Sequence, residues 1–249
     1  MRYQTLPGPL LFSRYAFMPN HLGYCGGSDS QALLEYGVSG RADRGLIELE
    51  RQFEGAYPYL QLIARANGIA DPLDARVVEA YWIGSPLLDR VDMEAVHTSL
   101  QERFRPRTNP RDWPWLALKA PAGAKPHHSF HVLDVYPRVG LMRSGLADHI
   151  VETMRQCLIR WGRVCAASGS QLVVEAPSLR YTLGKLQLSE PRPETVTRWH
   201  NGRGFVDTAQ EGDWVALHWG WACDILTPRQ QVSLERYTRW HLALCNQTM

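Results

Sequence analysis

The stretch GDWVALHWGWA, residues 212–222, decides how the C-terminal part of this chain is read. Gly212 and Asp213 make a turn. The residues after it alternate, with Val215, Leu217 and Trp219 set against Trp214, Ala216 and His218, which is the period of a strand with two different faces. Upstream, the period is also two from Cys157 onward. CLIRWGRVCA, QLVVEA, SLRYTL and KLQLSE are short strands parted by Gly169, Pro177 and Gly184, and ETVTRWH adds another. Downstream, Thr227-Pro228 opens a terminal helix with Leu234, Tyr237, His241 and Leu244 on one stripe. Five or six short strands followed by a helix predict a small closed antiparallel β-barrel of the OB type.

The first hundred residues follow a different period. Residues 1–27 are punctuated by Pro7, Gly8, Pro9, Pro19, Gly23, Gly26 and Gly27 and read as a loop-rich lead. Ser28, with Gln31 at capping-box distance, opens a helix through Leu33 and Leu34. Asp43 caps a second, Tyr57 to Ala66 forms a third, Asp71-Pro72 starts a fourth, and Asp92 to Phe104 a fifth. The expected class is α+β. A helical N-terminal domain occupies 1–126 and a connecting segment 127–154, with a short helix over roughly Gly145 to Arg155. Residues 155–249 form the barrel with its terminal helix.

Composition excludes more than it assigns. The chain has 249 residues and a formal net charge of +2, with 27 basic and 25 acidic side chains interspersed, so no electrostatic footprint for nucleic acid is present. No stretch approaches the roughly 20 apolar residues of a membrane span, and the N-terminus has no uninterrupted apolar run of the secretory kind. The five cysteines include no CxxC pair, which speaks against a zinc ribbon and fits free thiols in a cytoplasmic setting.

Cys157 and His218 are the pair best suited to chemistry, since a thiolate and an imidazole are good ligands for first-row transition metals. Cys157 heads the first strand and His218 lies in the last, and barrel closure commonly brings those strands together. Taken singly, a barrel cysteine is usually a small buried hydrophobe and a strand histidine usually structural. In HHSFHVLDVYP, His127 and His131 share a face on a helix. On the strand that VLDV suggests they stand about 13 Å apart, too far for one metal, although one of them, with His131 as the candidate, can still reach a site made by Cys157 or His218. Cys25, before paired glycines that permit close approach of a ligand, is a further candidate, against the plainer reading of a tight turn with a packed thiol. Trp219 and Trp221 flank Gly220 and are expected to wall the site or meet a partner. Cys165 and Cys223 read as core, and Glu48, Glu50 and Glu54 as a solvated helix face.

The region from Cys157 to about Leu244 resembles the HypC/HupF family of nickel–iron hydrogenase maturation chaperones. The resemblance rests on Cys157-Leu-Ile-Arg-Trp-Gly162-Arg-Val164, on GDWVALHWGWA, and on the final TPRQQVSLERYTRWHLAL, in that order. It implies that Cys157 and His218 hold iron bearing cyanide and carbon monoxide. It further implies an iron–sulfur partner of the HypD type and delivery to the hydrogenase large-subunit precursor. The family's cysteine stands at the chain start, whereas Cys157 is internal, and Trp161 replaces the proline common before the family's glycine. The N-terminal part resembles an uncharacterised bacterial family. Two other functions stay open: a thiol-dependent enzyme using Cys25 with a histidine among 127–131 as base, and an adaptor protein without metal.

Overall fold

The proline- and glycine-punctuated lead folds as a helix. The computed structural model describes residues 6–141 and 147–248, and Gly8–His21 forms α1. Pro9 falls in the first turn, where a missing N–H costs nothing, and Pro19 falls in the last turn. Turn signals therefore mark the two ends of α1, not a loop. Leu10, Phe12, Tyr15, Ala16 and Phe17 are all buried, and each large apolar side chain so placed contributes about 1.5–3 kcal/mol. Gly8 is required by close approach, because a Cβ there would stand 1.7 Å from the Leu73 carbonyl oxygen.

Around α1 pack α2 (Ser30–Ser39), α3 (Arg44–Arg51), α4 (Tyr57–Ala66), α5 (Ala75–Trp82) and α6 (Met93–Phe104). Asp43 and Asp92 cap α3 and α6 as expected. Two starts differ. Asp29, not Ser28, caps α2, and Asp74 caps α5, while Asp71 accepts from the Leu73 N–H in the turn before it. In each case a nearby carboxylate competes for the same exposed N–H groups and sits in better register. The segment from 105 to 126 includes a short helix, α7 (Trp113–Ala117).

The histidine-rich segment is helical, not extended. It begins as α8 (His128–Phe130) and continues with π-type turns over His131–Val135 and Pro137–Leu141. The wider turn places Val132, Leu133 and Val135 in the core one after another, which an apolar run written for a strand also does. Gly145 lies outside the described residues, and the helix expected there is α9 (Ala147–Cys157). Cys157 is thus the last residue of α9, not the first of a strand.

The strands are β1 (Arg160–Ser168), β2 (Gln171–Ala176), β3 (Leu179–Thr182), β4 (Lys185–Leu188), β5 (Arg192–Thr197), β6 (Trp214–His218) and β7 (Trp221–Leu226). Five of them are hydrogen-bonded in a ring in the order β1-β2-β5-β7-β6, with β6 returning to β1. All neighbours are antiparallel except β5 and β7, joined in parallel at Thr197 and Trp221. The pair β3-β4 is a separate hairpin, as the long insertion between β2 and β5 requires. The segment read as one strand, WVALHWGWA, is two, reversed at Trp219-Gly220, both with positive φ (55° and 69°). That geometry is a type I′ turn, and glycine at its second position meets the need. The terminal helix α10 (Pro228–Cys245) starts with a full capping box from Thr227 and Gln230, and its stripe of Leu234, Tyr237, His241 and Leu244 is buried.

The barrel interior is small and aliphatic, built from Val164, Leu172, Val174, Val196, Val215 and Leu217 among others. A larger core runs without a break from α1 and α5 to Trp161, Ala216, Trp221, Leu226 and Leu234. The outer face of β6 and β7 is therefore a wall of the helical part. Arg14 on α1 pairs with Asp224 on β7 across this contact.

Glu50 departs from its expected solvated face. It is fully buried on α3, neither carboxylate oxygen has a hydrogen-bond partner among the described residues, and burial pushes its pKa up to about 10. A folded pKa above the unfolded one makes its contribution most favourable below about pH 4.5 and progressively lost as pH rises toward 10. Glu50→Gln is accordingly expected to raise stability near neutral pH by roughly 2–3 kcal/mol. Denaturant unfolding at pH 5 and pH 8 checks it: the gain must be larger at pH 8, and equal gains contradict the buried-acid account.

Candidate metal site

His218, Cys157 and His128 come together where the helical part meets the outside of the barrel. One ligand-capable atom from each lies within 4.8 Å of the others, and the Cys157 Sγ stands 4.0 Å from His128 Nε2. The two imidazole rings meet edge to face at 5.1 Å. Bound to one ion at about 2.0–2.3 Å, such atoms stand about 3.3–3.8 Å apart, so modest side-chain shifts close the site. The donor set, one sulfur and two nitrogens, suits zinc, iron, cobalt or copper better than magnesium or calcium.

Each ligand is positioned by a local cause. On β6, Val215 and Leu217 point into the barrel, so the alternate residues Ala216 and His218 face α1. The Tyr15 carbonyl on α1 accepts a 2.8 Å hydrogen bond from His218 Nδ1. A carbonyl can only accept, so Nδ1 carries the proton and Nε2 keeps a free lone pair. That Nε2 is buried and has no partner among the described residues. Cys157 is held through its neighbour, since the Trp219 N–H at the β6–β7 turn donates to the Gln156 carbonyl at 2.9 Å. The turn that follows His218 thus grips the end of α9 that carries Cys157.

His128 is held from both sides. The Lys125 N–H donates to His241 Nε2 (3.2 Å), which places the His241 proton on Nδ1. That Nδ1–H donates to Ser129 Oγ (2.7 Å), and Ser129 Oγ–H donates in turn to His127 Nδ1 (2.8 Å). Residues 127 and 129 are thereby tied to α10, and His128 between them faces the other way, against Tyr81 and Trp82 of α5.

The surroundings set the protonation states. Burial lowers His218 to about 4 and takes His128 well below the usual range, the neighbouring His218 adding to the effect. Both are neutral near pH 7, as metal ligands must be. Burial raises the Cys157 thiol to about 12, with the nearby Trp219 indole opposing the rise. Without a metal this sulfur is a thiol, and binding must displace its proton.

The other candidates are distributed as follows. His131 does not join the site. It packs between Tyr59 and Phe104, near Gly55, and His128, not the expected His131, stands beside Cys157 and His218. The α turn over His128–Phe130 and the π turn after it, not pleating, decide which histidine faces Cys157. Cys25 sits in the loop after α1, an exposed residue whose thiol is raised by burial and by Cys157. Its loop is held over the site, because Tyr24 stacks on Trp219 at 3.9 Å and Asn20 Nδ2 donates to the Cys25 and Gly27 carbonyls. Trp219 therefore walls the site, whereas Trp221 is fully buried against Phe17 and Phe205 in the shared core. Cys223 is core as expected, but Cys165 is exposed, being on the outward phase of β1. Tyr15 and Trp82 were not singled out from the sequence, where nothing distinguishes them from other aromatic core residues.

No helix among the described residues is long and apolar enough to cross a membrane. In comparisons with known proteins, no curated protein and no solved structure matches the chain. One family model matches residues 4–249, so it covers the helical part, the metal site and the barrel as one unit. The chain belongs to that family, described as Family of unknown function (DUF6390).

Proposed function

We propose that this protein is a metal carrier that holds an iron ion bearing cyanide and carbon monoxide and passes it to a partner in hydrogenase maturation. The observation that carries the reading is the convergence of Cys157 and His218, from two separated motifs, on one buried site. The resemblance to HypC/HupF chaperones supports the identity of the cargo, an HypD-like iron–sulfur protein as the source, and the large-subunit precursor as recipient. His128 strengthens the chemistry. Low-spin iron takes six ligands, and two cyanides with one carbon monoxide leave three positions. One thiolate and two imidazoles fill three positions.

Each residue then has a task. Cys157 gives up its proton and supplies the thiolate. His218 offers Nε2 because Tyr15 holds Nδ1–H, and His128 offers Nε2, the atom nearer the sulfur. The aromatic wall of Tyr15, Tyr81, Trp82 and Trp219 and the loop carrying Tyr24 keep water and oxygen from the cargo. The thiol-enzyme alternative receives less support. A nucleophilic cysteine needs a lowered pKa, and Cys25 is raised, with no histidine of 127–131 shown beside it.

Three measurements test this reading. Protein purified without oxygen from cells making the hydrogenase accessory proteins is expected to show infrared bands of metal-bound cyanide and carbon monoxide. Those bands disappear in Cys157→Ala and His218→Ala, and their absence from the wild type overturns the cargo. Independently, a simple divalent ion such as Co²⁺ should bind about tenfold more tightly per unit rise in pH between about 6 and 9, because only the Cys157 proton is displaced. Affinity independent of pH, or unchanged in Cys157→Ser, contradicts thiolate ligation. Mild alkylation at neutral pH is expected to label exposed Cys165 ahead of Cys25 and Cys157. Selective labelling of Cys25 instead favours the enzyme.

A further inference from the structure

A second pair of histidines meets outside the Cys157 cluster. His21, exposed, is the last residue of α1, and His200, half-buried, lies in the connection between β5 and β6. Their ring centroids are 4.5 Å apart, with the planes at 62°. Both rings rest on Phe17, which is 1% exposed: His21 stacks on it at 5.6 Å, and His200 meets it edge-on at 5.8 Å. The backbone fixes His200 as well. It exchanges two main-chain hydrogen bonds with Arg203 around Asn201-Gly202, both with positive φ (51° and 73°), the mark of a tight type I′ turn. Ser30 Oγ lies 3.3 Å from His21 Nδ1. His21 Nε2 and both ring nitrogens of His200 have no hydrogen-bond partner among the described residues.

Two imidazoles on one ion, at metal–nitrogen distances of about 2.0–2.1 Å, hold their ring centroids about 4.5 Å apart at a right angle and about 5.2 Å apart at the tetrahedral angle. The observed spacing matches the first. No third described histidine, cysteine or carboxylate joins the pair, so water fills the remaining positions. The location also favours a cation, because the peptide dipoles of the 14-residue α1 end in partial negative charge beside His21. Imidazole donors select late first-row divalent ions over magnesium or calcium. We infer that His21 and His200 form a second, solvent-open site for such an ion, of the zinc, nickel or copper class. The site stands apart from the buried cluster and from any cargo held there. An ion in it ties the end of α1, and with it the loop carrying Tyr24 and Cys25, to the barrel.

The test titrates the full chain with Zn²⁺ while following the imidazole ¹H–¹⁵N resonances. Those of His21 and His200 are expected to shift together, a readout on the wild type that needs no variant to fold. His21→Gln and His200→Gln each weaken this event by about tenfold or more, since even an outer partner of a ligand is worth that much, and leave Zn²⁺ uptake at Cys157 unchanged. Cys157→Ser shows the opposite pattern, keeping the event at His21 and His200. Resonances of His21 and His200 that stay in place in excess Zn²⁺ overturn the inference. So does a His21 shift undiminished in His200→Gln, which makes His21 a lone ligand, or one lost in Cys165→Ser, which places the ion at that exposed thiol. A joint shift in protein whose Cys157 cluster takes no ion still supports the pair and counts only against the buried site.

Discussion

The hydrogen bond from His218 Nδ1 to the Tyr15 carbonyl is the contact on which the site depends. It crosses from the outer face of a barrel strand to the first helix of the chain, and it is buried. Because a helix carbonyl cannot donate, it dictates the imidazole tautomer and leaves Nε2 free. Everything that follows about ligation assumes that tautomer. The same junction carries the Arg14–Asp224 pair and a continuous apolar core, so the ring is held by packing as well as by one bond.

Burial then sets the chemistry. The site has no permanent charge: two imidazoles pressed toward neutrality and a thiol pressed toward its protonated form. Were a metal ion to bind such a pocket, it would displace the Cys157 proton. A surface site with a ready thiolate would bind faster and oxidise faster. In the proposed carrier role, protonation of Cys157 favours release.

The supporting frame is economical in its connections. The β6–β7 turn supplies three parts at once: His218 before it, the Trp219 N–H that holds Gln156, and the Trp219 ring that carries Tyr24. The chain of Lys125, His241, Ser129 and His127 ties the histidine segment to α10, and it explains why His127 and His241 serve architecture while His128 faces the sulfur. Neighbouring histidines in a sequence are not interchangeable. Their roles follow from which side of a short helical turn each occupies.

Much of this was legible in the residues. Period-two patterning between turn residues marked β2 to its ends, capping residues marked α3, α6 and α10, and apolar spacing marked α4, because those signals are local. Cys157 and His218 could be paired from their motifs. The lead was misread because prolines at both ends of α1 look like loop punctuation until the helix between them is seen. Glu50 was misread because a charge pattern cannot tell which side of a helix a neighbour will cover. What the sequence alone determined was the kind of elements, which rests on residue type and spacing, and two candidate ligands, which rest on the motifs that carry the family resemblance. The third candidate ligand, the tautomer of the second, and the aromatic wall around them were decided only by tertiary structure. Each depends on distances between segments far apart in the chain, and only the burial of their shared apolar faces brings those segments together.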